Sequence, residues 1–215
     1  MARNLVKQLQ NGLVLWLDSN GKDLSGNGNN GTLVNAPVKQ RVLQNDGLTY
    51  NGTSQYVSVP DATQLRLTTL TLSAWITISW TNSIEQNPIR KDTPWTRHLW
   101  GFTIPTWTNI SAQVYNGTNY ITTAHTLRVW VPTHATMVIT GSSGTVSLYI
   151  NWVLVGSPVV IWAFTAPTTQ LTIGSAYDWT LVGNYFNWKI INPMLWNRAL
   201  SAQEIQMLHK ATFIV

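Results

Sequence analysis

Asp and Glu are the residues that could do chemistry here, because they serve as the acids and nucleophiles that hydrolyse glycosidic bonds. A retaining glycosidase needs two carboxyl groups about 5 Å apart, and alternate residues of one β-strand place two side chains on the same face. No two acidic residues stand two positions apart in this sequence. A catalytic pair formed by acids on two different strands remains an alternative. Glu204 is expected to form a capping box with Ser201 instead. The acids are Asp18, Asp23, Asp46, Asp61, Glu85, Asp92, Asp178 and Glu204.

Cysteine and histidine do not form a recognisable metal site or nucleophilic catalytic site. The sequence has no Cys and four His, and no two His have the His-x-x-x-His spacing that a zinc site uses. No Gly-x-Ser-x-Gly segment marks a nucleophilic serine. We therefore predict that the protein is not an enzyme and holds no metal. The histidines are His98, His125, His134 and His209.

Tryptophan is the residue type that suggests binding, since the chain contains 12 of them. Exposed aromatic rings stack on sugar rings, but Trp also anchors protein interfaces. The sequence does not separate these two roles. Trp16, Trp75 and Trp196 fall within strand patterns and are expected to be core or half-buried. Others fall in or beside predicted loops, namely Trp80, Trp95, Trp107, Trp162 and Trp179.

Alternation of apolar and polar residues with period two predicts the strands that must position these side chains. The longest run is Leu70–Ile78, and turns rich in Gly, Asn and Pro separate the runs. Many short strands predict an all-β sandwich or barrel. Ser201 and Glu204 predict one short C-terminal helix, with Ile205 and Leu208 as its apolar stripe. Shorter strand runs are 56–59, 129–131, 137–140, 146–150, 171–173 and 186–190.

Length and composition limit the class of protein. A chain of 215 residues predicts one domain, 1–215, with residues 1–10 as a short N-terminal extension. Only 10% of residues are charged, against about 25% usually, and the Trp content excludes disorder. The net charge of +5 is spread along the chain, so we expect no nucleic-acid partner. The sequence contains no run of about 20 apolar residues for membrane insertion and no signal peptide.

A series of motifs extends along nearly the whole chain. They are 12–18 followed by 23–32, then 48–60, then 134–157, and finally 171–175 followed by 196–201. Together these segments resemble the concanavalin A-like lectin/glucanase superfamily, in its laminin-G-like, pentraxin-like branch. Within the second segment, Asn51-Gly52 is a common signal for a two-residue hairpin.

This resemblance implies a jelly roll, in which two curved antiparallel sheets pack as a sandwich. It also implies calcium as a common ion, with Asp23 as the candidate ligand. We favour an Asx-turn for Asp23, which closes the loop that follows it. The glucanases' alternating carboxylates are absent. His134 matches a histidine that begins a core strand, so we assign it to packing.

The sequence departs from the family at three places. Asn151-Trp152 stands where the family has Asn-Gly, Trp188 replaces a Gly, and Asn192-Pro193 replaces an acidic pair. Bulky rings at 152 and 188 must pack within the chain or contact another subunit or a ligand, and both alternatives stay open. The candidate binding residues are Trp152, Trp188, Trp95, Trp107 and Trp179.

The family works outside cells on glycans or partner proteins, whereas this chain shows no secretion signal. A phage virion protein, made in the host cytoplasm, reconciles the two. We therefore predict a non-enzymatic structural or adhesion protein of a virion, as a head decoration, fibre or appendage component. Its expected partners are other virion or capsid proteins, further copies of itself as a homo-oligomer, and a cell-surface glycan. The alternative is a stand-alone carbohydrate-binding module, and a glycoside hydrolase comes third.

Overall fold

The computed structural model describes residues 9–42, 45–79, 84–93, 98–105, 108–178 and 181–212. Its strands, numbered in chain order, are β1 (Leu13–Trp16), β2 (Thr32–Val34), β3 (Val38–Val42), β4 (Asn45–Asn51), β5 (Tyr56–Val59), β6 (Thr69–Ile78), β7 (Ile89–Asp92), β8 (His98–Thr103), β9 (Asn109–Asn116), β10 (Asn119–Ile121), β11 (His125–Thr126), β12 (Thr133–Thr140), β13 (Thr145–Ile150), β14 (Val153–Leu154), β15 (Val159–Val160), β16 (Leu171–Ile173), β17 (Ala176–Asp178), β18 (Leu181–Gly183) and β19 (Asn187–Trp196). A 3-10 turn (Thr63–Leu65) and the helix α1 (Ala202–Thr212) complete the elements.

Two antiparallel sheets make up the sandwich. The nine-stranded sheet has the order β14-β13-β12-β6-β19-β4-β3, with β1 also paired to β19 and β15 also paired to β13. The eight-stranded sheet has the order β10-β9-β8-β7-β16-β5-β2, with β11 paired to β9, and β17 pairs with β18 in a separate ribbon. The predicted all-β, two-sheet jelly-roll sandwich with one short C-terminal helix is confirmed.

The alternation of β6 shows how the core forms. Leu70, Leu72 and Ile76 face the eight-stranded sheet and are fully buried. The residues between them face the other way, yet Thr71 and Trp75 are buried as well. Both faces of this central strand are therefore covered, one by the second sheet and the other by α1.

The helix begins at the predicted capping box. The Ser201 N–H donates to Glu204 Oε2 at 2.8 Å, and the Glu204 N–H donates to Ser201 Oγ at 3.2 Å. Hydrogen bonds from Arg198 are the main reason that the pKa of Glu204 falls to about 2. Ile205 and Leu208 then pack with Trp196 on the outer face of the nine-stranded sheet.

Two local predictions are wrong. Asn51-Gly52 does not close a two-residue hairpin, because β4 and β5 belong to different sheets. The Asn51 side chain instead accepts hydrogen bonds from the N–H groups of residues 53, 54 and 55 in a wider turn between the sheets. Residues 129–131 are not a strand, since Trp130 has φ 66° and lies in a turn.

The strand β19 departs from regular pairing at Asn192-Pro193. Its register against β6 shifts between Ile191 and Met194, and Asn192 has φ 50°. Asn192 Nδ2 donates to Asn45 Oδ1 at 2.6 Å, which ties the bulge to β4. No helix in the described ranges is long and apolar enough to cross a membrane.

Candidate functional site

The candidate site lies at the end of the nine-stranded sheet where β6 finishes and β19 begins. Trp188 stands opposite Ile78 in the ladder, and the Trp130 N–H donates to Ile78 O at 2.9 Å. The two indole rings therefore meet edge to face, with centroids 4.8 Å apart and an interplanar angle of 90°. Trp188 is half-buried, whereas Trp130 is 49% exposed.

Trp152 occupies the same end of the sheet, two strands away from Ile78. Asn151 and Trp152 form the tip of the β13–β14 hairpin with φ values of 49° and 65°, the backbone of a type I′ turn. The indole packs on His209 of α1, with ring centroids 4.3 Å apart, and remains 38% exposed. Packing within the chain therefore covers part of the ring and leaves the rest at the surface. We call Trp130, Trp152 and Trp188 the tryptophan rim.

The backbone of the tryptophan rim is strained at each of its members. Trp130, Trp152 and Trp188 have φ values of 66°, 65° and 117°. A bulky residue with positive φ costs on the order of 1–3 kcal/mol, and such residues cluster at ligand-binding sites. The chain keeps three indoles in unfavourable backbone conformations at one end of one sheet, which points to a role for that end.

Polar residues flank Trp188 in β19. Lys189 Nζ lies 5.3 Å from the Trp188 ring centroid, within the range of a cation–π contact. Asn187 is half-buried beside it, and its N–H donates to Gln86 Oε1 at 2.8 Å. An exposed aromatic face with an ammonium nearby can hold a polar ring by stacking and hydrogen bonds.

The imidazoles behind Trp152 are structural. His134 is 1% exposed, and its Nε2 lies 2.8 Å from Ser73 Oγ. Burial, assisted by the nearby His209, lowers the pKa of His134 to about 3, and burial together with Lys210 lowers the pKa of His209 to about 4. Both rings are therefore neutral at pH 7. The assignment of His134 to packing is confirmed.

Asp23 closes the loop that follows it, as predicted. Its carboxylate accepts hydrogen bonds from the N–H groups of Trp16, Ser25 and Asn29 and from the Ser25 hydroxyl, at 2.8–3.0 Å. These four donors occupy the acceptor sites of the carboxylate. Within the described ranges, no group of three His, Asp or Glu residues could hold a metal ion.

Other carboxylates pair with cations. Arg90 binds both Glu85 and Asp92, at 3.4 and 2.8 Å. Asp61 binds Arg66 and the fully buried Lys91, each at 2.6 Å. Burial raises the pKa of Asp61, but the hydrogen bonds from these two cations outweigh it and hold the pKa below its ordinary value. These contacts tie strand β7 to the segments that carry Glu85 and Asp61.

The structure brings together only part of the predicted binding set. Trp152 and Trp188 lie at the same end of the sheet, whereas Trp95, Trp107 and Trp179 lie outside the described residues, as does Trp80. Trp130 was not among the predicted binding residues. The available signal was Pro132, which disfavours a strand at this position. Trp162 is 63% exposed and lies just after β15.

Comparisons with known proteins agree with this architecture. A laminin-G-type family model, described as Concanavalin A-like lectin/glucanases superfamily, matches residues 51–206. No curated protein matches the sequence significantly.

Solved structures share the fold at low sequence identity. Domain 4 of an extracellular arabinanase from Geobacillus stearothermophilus, in complex with arabinotriose, has a TM-score of 0.75 at 16% identity, over 91% of this chain and 97% of that one. The binding domain of Paraclostridial Mosquitocidal Protein 1 has a TM-score of 0.72 at 17% sequence identity, and the match covers 94% of this chain and 52% of that one. A structure of botulinum neurotoxin type C has a TM-score of 0.74 at 13% sequence identity, and the match covers 96% of this chain and 53% of that one. Cell entry of that toxin is described as dependent on two ganglioside molecules. The chain thus spans about half of these toxin structures.

Proposed function

Because the chain belongs to the concanavalin A-like lectin/glucanase superfamily, we propose that it is a non-catalytic, lectin-type binding domain that holds a glycan on Trp130. The observation that carries the proposal is the Trp130–Trp188 pair. Trp130 is 49% exposed in a strained turn and is held by the edge-to-face contact with Trp188.

The chemistry of this pair suits a saccharide. The C–H face of a pyranose or furanose stacks on an indole, while its hydroxyls need hydrogen-bond partners at the ring edge. Lys189 supplies an ammonium next to Trp188. Trp130 serves as the stacking platform, and Trp188 fixes its orientation.

Structural neighbours support a saccharide ligand. The arabinanase domain binds arabinotriose, and the type C neurotoxin interacts with gangliosides. Both share only the fold with this chain, so they support the class of ligand and not its identity. The carboxylates support the non-catalytic part of the proposal, because Asp23, Asp61 and Glu204 are engaged in hydrogen bonds that hold loops and a helix end.

The virion role is the second part of the proposal. We propose that the domain works on the surface of a phage particle, as a decoration, fibre or appendage protein that adheres to cell-surface glycans. A lectin-type domain that is low in charge and rich in Trp suits a component of a repeating assembly, and in this chain only 10% of residues are charged and 12 are Trp. Mass spectrometry of purified particles from the source host tests it, and particles that lack the chain would refute it.

The glycan site is tested by screening the protein on a glycan array and measuring each hit by calorimetry in solution. Trp130→Ala should weaken binding by roughly tenfold or more, which corresponds to about 1.4 kcal/mol. Trp162→Ala is the matched control, because Trp162 is exposed but lies outside the tryptophan rim. The affinity of this variant for the glycan, per binding site, should equal that of the wild type. An array without hits, or wild-type affinity in Trp130→Ala, would contradict the proposal.

A further inference from the structure

One long segment of the chain carries no charge. None of the 13 Lys and Arg residues and none of the 8 Asp and Glu residues falls between 129 and 177. This segment contains β12 to β16, and three of these strands, β13 to β15, form one edge of the nine-stranded sheet. That edge therefore has neither the ion pairs nor the solvated charges found elsewhere on the molecule.

The same segment holds most of the exposed apolar surface. Seven of the ten large apolar side chains that are exposed in the described residues belong to it. A monomer tends to avoid exposing such groups in a cluster. They are Trp130, Val131, Trp152, Val153, Leu154, Val160 and Trp162.

The residues at this edge are also accessible to solvent. Residues 151–160 are all at least partly exposed, and β14 and β15 both pair with β13 at the limit of the sheet. Natural proteins protect such edges with charged side chains, proline or a bulge. Pro158 and Gly156, with φ 64°, interrupt the edge between β14 and β15, but no charge protects it.

We propose that this uncharged edge, formed by Val153, Leu154, Val160 and Trp162, is the interface between two copies of this chain. Each copy carries a net charge of +5, so two copies repel one another over most of their surfaces. A two-fold contact places the same patch of each copy against itself. Because this edge has no charged side chains, two copies that meet here bring no like charges together.

The edge can form the centre of such a contact. A standard interface takes about 20–30 residues from each partner, and all ten residues from 151 to 160 are at least partly exposed. A nucleic acid would need cations, and an acidic or basic protein would need opposite charges. The edge offers neither, so a second copy is the occupant that its chemistry favours. This inference does not depend on the glycan site.

Sedimentation equilibrium of the purified chain tests the proposal. The wild-type protein should have twice the 24.1 kDa mass of one chain. Val153→Lys should shift it to the single-chain mass, with a dissociation constant raised roughly 100-fold, because two ammonium groups would face each other across the two-fold axis. Val38→Lys is the matched control, since Val38 on the opposite edge is 57% exposed and Val153 is 58% exposed, and it should leave the dimer intact.

Trp162→Lys provides a second test at an independent position of the same edge and should also give the single-chain mass. Circular dichroism checks that each variant keeps the wild-type β spectrum. A wild-type protein with the single-chain mass, a closed trimer or larger ring, or a dimer that survives both Val153→Lys and Trp162→Lys would overturn the proposal. A single-chain wild type would assign the edge to a different partner.

Discussion

Each edge of the nine-stranded sheet exposes a valine to nearly the same extent, 57% for Val38 and 58% for Val153, but the two edges differ in chemistry. On one edge, Val38 of β3 lies between Pro37 and Lys39, and the Lys39 ammonium donates to Asn20 Oδ1 at 2.6 Å. On the other edge, Val153 lies in a segment without any charge. Edge protection comes from flanking charge and proline more than from the exposure of a single side chain. Of these two edges, the β3 edge carries a charged side chain next to its exposed valine.

The largest expected effect tests whether the two edges share one core. Leu48 lies in β4, next to one edge, and Leu148 lies in β13, next to the other, and both are buried in the same cluster. Leu48→Ala and Leu148→Ala should each lower the free energy of unfolding by about 2–5 kcal/mol. Urea titration at a fixed protein concentration measures both.

Similar losses would mean that the edges differ in surface chemistry alone. A loss below about 1 kcal/mol for Leu148→Ala would show that the uncharged edge is loosely packed. That result would contradict the view that its exposed side chains belong to a well-ordered surface.

Acid should weaken the packing between α1, the Trp152 hairpin and the nine-stranded sheet. The pKa values of His134 and His209 lie at about 3 and about 4, below the ordinary 6.5, so below pH 6.5 the unfolded chain binds protons that the folded chain does not. Stability is complete above pH 6.5 and falls as the pH drops. Between pH 7 and pH 5, His134 alone should cost about 2 kcal/mol. The lowered pKa values of Asp61 and Glu204 matter only below about pH 4.5.

Urea unfolding at pH 7 and pH 5 measures this loss. His134→Gln keeps a polar group near Ser73 and removes the titrating ring, so its stability should depend less on pH. Equal stability of the wild type at both pH values would show that the imidazoles behind Trp152 take up protons without disturbing the hairpin.

The smallest effects come from two strained turns, one beside each edge. Ala36 has φ 52° and precedes β3, and Trp152 has φ 65° and precedes β14. Glycine adopts positive φ without strain, so Ala36→Gly should raise stability by about 0.5 kcal/mol after the entropy of the unfolded chain is counted. Trp152→Gly gains the same relief but loses the contact with His209.

We expect Trp152→Gly to remain folded and to stay within about 1 kcal/mol of the wild type in urea. If this variant unfolds, the indole is part of the core, and its exposed fraction has no bearing on the surface of this edge. A gain as large as that of Ala36→Gly would show that the ring contributes nothing to the docking of α1.

The strands were predictable because alternation is a local property. Leu70–Ile78 became β6, and Tyr56–Val59 and Leu171–Ile173 became β5 and β16 with the predicted bounds. Asn51-Gly52 was misread because a turn signal does not say which strands it joins, and here the flanking strands pair in different sheets. The capping box at Ser201 was correct because it needs only four consecutive residues.

The tryptophan rim was only partly predictable. Trp152 and Trp188 stood out because they replace small residues of the family pattern. Trp130 did not, since its conformation depends on a hydrogen bond to Ile78, which lies 52 residues earlier in the chain. The neutral His134–His209 pair likewise arises only when α1 docks on the sheet. Contacts of this kind are tertiary, and no local pattern encodes them.

The central position of β19 has a consequence for biosynthesis. This strand fills the gap between β6 and β4 and also pairs with β1. The nine-stranded sheet cannot close until residue 196 has left the ribosome, while β6, β12 and β13 can already pair. Non-local pairing of this kind is slow, and half-built sheets expose unpaired strands. On a polysome, nascent chains would therefore display open β6 edges to one another before the last strand arrives.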